Sequence, residues 1–295
     1  MLNRSRLLAG IAGGGQWLEA HARHLTPDAL VFAQIGFRAA RLPVPPRLRR
    51  PHAGSVSRTL LPVSPAFRTV AANVARLYFA YSGAAPCAKA RSGATSPILA
   101  TRRDRMERVD RDLINRVLAE AVTGDVSSES RRWMRRSGGT GFTLTHQFLA
   151  SLLHHWSNRR GAGADCARRV GTRVFREAIR RRGYVDLLAQ QTAFLALSGW
   201  PMAGLAPLLR RLLRAQDAGD GGWHYFERKL SEPGETFMRV SEGRSPLLGW
   251  PIHCNEDDLG TLVAVIHDAH RGHATALALC ALGVVTARTS RGSTP

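Results

Sequence analysis

The sequence predicts an all-α protein built of helical-hairpin repeats. Three observations point there. Segment after segment carries apolar residues at helical spacing. Strand-like alternation of apolar and polar residues is scarce. Glycine- and proline-bearing turns separate the segments.

The first 67 residues are expected to be an irregular, basic, proline-rich region. Arg4 and Arg6 precede the apolar run Leu7-Leu8-Ala9-Gly10-Ile11-Ala12, a faint imitation of a signal peptide. The run is short and glycine-rich, and no small-residue cleavage site follows it. Residues 30–40 suit a short helix, but Pro43, Pro45, Pro46 and Pro51 follow, interspersed with Arg47, Arg49 and Arg50. Proline fixes φ and lacks a donor, so this stretch reads as a linker. A helical domain is expected over residues 68–288, with a flexible tail at 289–295.

Residues 70–81 place Val70, Val74, Leu77 and Tyr78 at helical spacing. Residues 104–122 form an amphipathic helix with Met106, Val109, Leu113, Ile114, Val117, Leu118 and Val122 on one face; Gly124 ends it. Ser127 or Ser128 opens a short basic helix reaching Arg136. The Ser137–Gly141 stretch is a glycine-rich turn without the lysine of a phosphate loop. Further helices are expected over 144–156, 164–182, 185–197 and 202–215, the third apolar nearly all round and hence buried.

Three of the buried segments share a pattern, polar first and then small and apolar. They begin at Thr145-His146-Gln147, at Gln191-Thr192-Ala193 and at His273-Ala274-Thr275. The first two lie roughly 45 residues apart, an interval suited to stacked helical hairpins. Gly272 is expected to separate His270 from His273.

Leu212-Leu213-Arg214-Ala215-Gln216 running into Asp220-Gly221-Gly222-Trp223 resembles the QW repeat of the prenyltransferase and squalene/terpene cyclase superfamily. Residues 272–283 resemble the inner helices of the same proteins. The resemblance covers roughly residues 140–288 and implies an α/α toroid, here small or incomplete, in which inner and outer helices surround a cavity. The DxDD acid motif of class II cyclases is absent; Asn255-Glu256-Asp257-Asp258 is the nearest echo. The Asp-x-Cys zinc motif of protein prenyltransferases is absent too, while His273 falls where their histidine ligand begins an inner helix.

The candidate chemistry follows. His146 and His273 hold matching places on two inner-type helices, and Asp257 and Asp258 are candidate general acids, so these four are the expected catalytic residues. Acidic residues there equally suit a helix start, where they complement the dipole. Nitrogen, sulfur and carboxylate groups crowd between His253 and His273, and His253, Cys254 and His273 are the candidate ligands for zinc.

Composition bounds the rest. No apolar run reaches the ~18–20 residues that cross a bilayer. Cys87, Cys166, Cys254 and Cys280 form no CxxC pair, which argues against a zinc ribbon or a thioredoxin-like site and leaves a reducing cytoplasm as the expected compartment. The formal net charge is +20, and only Lys89 and Lys229 among 42 basic residues are lysine. Scattered arginines without interleaved aromatics suit solvated faces better than a nucleic-acid surface, so nucleic acid is not the favoured partner. The leading expectation is a protein with a central polar cavity, enzyme or ligand-binding, acting on an isoprenoid or peptide-like molecule. The alternative is a non-catalytic module that binds a protein or an anionic partner through arginine-rich outer helices.

Overall fold

The computed structural model describes residues 3–49, 78–79, 105–158, 163–180, 184–224 and 256–291; for Pro27, 105–112, 256–267, Ala269 and Arg291 it describes the backbone alone. The protein is all-α. Among the described residues the helices are α1 (Arg4–Ala20), α2 (Pro27–Ala39), α3 (Arg105–Thr123), α4 (Ser128–Arg135), α5 (Gly141–Ser157), α6 (Ala164–Arg180), α7 (Val185–Leu197), α8 (Met202–Ala215) and α9 (Glu256–Arg291). Short 3-10 turns lie at Ala22–His24 and Pro46–Leu48. No described helix is long and apolar enough to cross a membrane.

The chain divides into two compact units. Unit 1 takes residues 1–62 and 178–295, and unit 2 takes residues 63–177. In unit 1, α2, α7 and α1 pack around α9, and α8 packs on α7 and α9. Residues 270–286 of α9 are buried without interruption, so this part of the helix is enclosed rather than amphipathic.

Three expectations are corrected here. Residues 1–67 are not irregular throughout: α1 and α2 occupy much of them. Glycine is a poor helix former, yet Gly13-Gly14-Gly15 lie inside α1. In the fold these glycines are where neighbours come close. A Cβ on Gly14 would stand 2.8 Å from the Trp223 ring. Packing therefore overrides propensity. Second, Gly272 does not divide His270 from His273, because α9 runs through it unbroken. Its missing Cβ makes room for the Leu25 side chain. Third, α9 continues to Arg291, so residues 289–291 are helical and not part of a flexible tail. The closest crossing lies between α2 and α9, where Gly36 faces Gly283 and Leu279; a Cβ on Gly283 would collide with the Gly36 backbone.

The turn from Gln216 to Trp223 ties three helices of unit 1 together. Gln216 Nε2 donates to the Gly10 carbonyl of α1 (2.9 Å) and to the Gly221 carbonyl within the turn (2.8 Å). Trp223 is fully buried; its indole N–H donates to the Leu212 carbonyl of α8 (2.7 Å) and its backbone N–H to Thr275 Oγ1 of α9 (2.9 Å). Gly221 adopts φ +80° and lies against the Gly13 backbone, so a side chain is excluded there on both counts. Asp220 reaches Arg271 at 3.0 Å, and that guanidinium lies 4.8 Å from the centre of the Trp17 ring.

In unit 2, α5 packs against α3 and α4. Ser127 caps α4 by accepting from the Ser130 N–H at 3.2 Å. Gln147, fully buried on α5, donates to the Trp133 carbonyl at 2.8 Å and so holds α4 in place. The helix expected over residues 70–81 lies outside the described residues except for 78–79, which are helical.

Candidate functional site

The first turns of two helices aim carboxylates at the middle of a third. Thr26-Pro27-Asp28 starts α2 with proline at a position where its missing N–H costs nothing. Asp28 follows in the first turn, where the helix dipole favours negative charge. Asp186 holds the equivalent place in α7. Both converge on His273 in α9. His273 Nδ1 lies 2.6 Å from Asp186 Oδ1, and Nε2 lies 3.2 Å from Asp28 Oδ2. Side-chain exposure is 5% for His273, 1% for Asp186 and 13% for Asp28, so the cluster is nearly dry.

Burial alone disfavours the imidazolium, but Asp186, by charge and hydrogen bond, and Asp28 in the same way, outweigh it and hold the His273 pKa up to about 10. Burial also works against ionised Asp28; the hydrogen bond and charge of His273, with help from Thr26 and the Ala29 N–H, hold its carboxyl below the usual range. Both ring nitrogens are thus N–H donors, one facing each carboxyl group. Protons are held here, not exchanged near neutral pH. Carboxyl oxygens in dry surroundings stabilise positive charge on whatever lies against them.

Polar atoms without partners lie in the triad and along α7. Asp186 Oδ2 is buried without a hydrogen bond, as are Gln190 Oε1 and Gln191 Nε2 on the same helix. Gln190 lies one turn from Asp186 on the same face of α7.

The expected site residues fall as follows. His273 is at the centre, although not as the first residue of a helix. His146 belongs to unit 2, where its Nδ1 pairs with the Phe142 carbonyl of its own helix at 2.7 Å. Asp257 and Asp258 lie in the first turn of α9, where an acidic helix start was the competing expectation; their side chains lie outside the described residues. His253 and Cys254 lie outside them altogether. Among the described residues no three His, Cys, Asp or Glu side chains are disposed to hold a metal ion. His273 itself directs both nitrogens at carboxylates, so it has no lone pair to offer zinc while the triad is intact. Cys280 is fully buried, and burial pushes its thiol pKa up, which suits a core residue.

Asp28 and Asp186 are the residues that sequence reasoning missed. A signal for Asp186 existed: a charged residue opening a helix that is otherwise apolar almost all round is seldom buried without a partner. Set beside known proteins, the chain matches no family model, no curated protein and no solved structure.

Proposed function

We propose that unit 1 binds a small molecule with an apolar body and a hydrogen-bond-donating head, and that Asp28, His273 and Asp186 form its working centre. The resemblance of Gln216–Trp223 to the QW repeat supports an α/α-toroid kind of protein and an isoprenoid class of ligand. The observation that carries the reading is the buried triad. Replacing buried ions with apolar groups of similar volume is often neutral or stabilising, so three ionised groups in a core are poorly explained by stability alone. The unpaired oxygens of Asp186 and Gln190 add acceptors that await a donor.

The sign of the charge selects within the class. A centre with two carboxyl groups against one imidazolium favours an alcohol or an ammonium head and disfavours a diphosphate. An isoprenoid alcohol such as farnesol fits the acceptors, and the Leu, Ala and Phe side chains of α7 and α9 suit its hydrocarbon. If the site is catalytic, its contribution is electrostatic: it stabilises positive charge developing on the bound molecule.

Thermal unfolding with farnesol, and separately with farnesyl diphosphate, tests this. Farnesol is expected to raise Tm saturably in the native chain and not in Asp186→Asn; the diphosphate is expected to do less. No shift with farnesol, together with a large loss of stability in an Asp28→Leu, His273→Met, Asp186→Leu triple variant, would reduce the triad to a structural clamp.

A further inference from the structure

The two rows of arginine in unit 2 make one surface. On α4, Arg131, Arg132, Arg135 and Arg136 are exposed, at i, i+1, i+4 and i+5, while Trp133 and Met134 turn inward. On α6, Arg169, Arg173 and Arg176 follow an i, i+4, i+7 stripe, with Val170 and Val174 buried behind it. Arg173 joins the rows. Its guanidinium donates to the carbonyls of Arg136 (3.0 Å), Ser137 and Gly139 (2.9 Å). An open groove of about 940 Å³ runs along α4, lined by its arginines together with Ser128, Ser137, Glu129 and Trp133.

The neighbouring carboxylates are already engaged. Glu129 pairs with Arg116 at 2.6 Å. Glu177 accepts from the Gly141 N–H at 2.8 and 3.1 Å. Arg131, Arg132, Arg135 and Arg136 have no carboxylate partner among the described residues. Their field reaches the neighbouring α5: burial first, then Arg131, His155 and Arg135, lower the His154 pKa.

We infer that this face docks on the phosphate backbone of duplex nucleic acid, without reading its sequence. Guanidinium matches paired phosphate oxygens, and all but two of the 42 basic residues are arginine. Trp133 borders the groove but is 8% exposed, and Met134 3%, so α4 offers little ring face for unpaired bases to stack on and no apolar anchor for a bilayer. Charge without stacking groups favours a duplex, whose phosphates are outside and whose bases are already paired. The sequence alone leaves these arginines scattered; the fold gathers them. The surface belongs to unit 2 and stands whether or not the buried triad binds a ligand.

The test is fluorescence anisotropy with a labelled 25-base-pair duplex of random sequence, the full chain and a salt series from 50 to 200 mM. The native chain is expected to bind with a steep salt dependence. The variant Arg131→Gln, Arg132→Gln, Arg135→Gln, Arg136→Gln is expected to lose about tenfold or more in affinity at 50 mM, and its log–log salt slope is expected to shrink by about 3. A quadruple Arg→Lys variant at the same positions keeps the slope, which separates charge from folding. A control, Arg210→Gln with Arg214→Gln on α8, changes little. Equal losses in the control and the α4 variant would overturn the inference in favour of diffuse charge. So would the absence of duplex binding at 50 mM, or α4-dependent binding to phosphatidylserine vesicles without binding to duplex.

Discussion

The two units put charge to opposite uses. Unit 1 hides an imidazolium between two carboxylates at the crossing of α2, α7 and α9. Unit 2 spreads guanidiniums over solvent on α4 and α6. Burial decides what each can do. A dry charge interacts strongly, is nearly blind to salt, and must be paired. A wet charge contributes little to stability and is screened within about 8–10 Å, yet it remains free for a partner. The same residue types therefore mark a fixed centre in one unit and an adaptable surface in the other.

The largest expected effect comes from breaking the triad. His273→Ala leaves two buried carboxylates facing one another and is expected to cost about 3–5 kcal/mol in urea unfolding. Replacing all three members with apolar residues is expected to cost far less, and a large loss there as well would mean the triad is needed for the fold itself. Next is the helix crossing. Gly283→Ala forces a methyl into the Gly36 backbone, and a loss of about 1–3 kcal/mol or more is expected. Thr275→Val removes the acceptor of the buried Trp223 N–H; a loss of about 1–3 kcal/mol is expected.

The pH response sharpens the contrast further. The folded His273 pKa of about 10 stands above its ordinary value of 6.5. The folded state therefore holds the extra proton between those values, and stability falls as pH rises through that window. The contribution is fully present below pH 6.5. Asp28 acts with the opposite sign: its lowered pKa stabilises above its ordinary value of 3.8 and is lost as pH falls below it. Urea midpoints measured from pH 6 to 10 are expected to decline for the native chain and to flatten in Asp186→Asn. The smallest effect lies on the surface. Converting Arg131, Arg132, Arg135 and Arg136 to glutamine is expected to change stability by less than about 0.5 kcal/mol, while altering salt-dependent binding most.

Much of the fold was legible because it is local. The periodicities of α3, α5, α7 and α8 carry their own evidence, and the Gln216–Trp223 turn is visible in eight consecutive residues. Ser127 and Gly124 mark ends in the usual way. What was hidden depends on partners distant in the chain. The glycines of α1 look like loop until Trp223 and Phe37 are placed against them. The length of α9 was hidden because a helix enclosed on all sides has no polar stripe to count. His273 could be singled out, since a histidine leading a small apolar run is unusual. Its partners could not. Asp28 lies 245 positions away and Asp186 lies 87 away, and neither spacing belongs to any motif. The arginine face was obscured for the same reason: Arg173 of α6 reaches the turn at 136–139 after α4, across more than 30 positions.

The central claim is that His273 is a buried, doubly held imidazolium. Nitrogen-15 NMR of the histidine side chains across pH 5 to 11 tests it directly. The account predicts one imidazole with both nitrogens protonated through neutral pH, titrating only near 10. A His273 ring that loses its proton near 6.5, as an isolated histidine does, would contradict it.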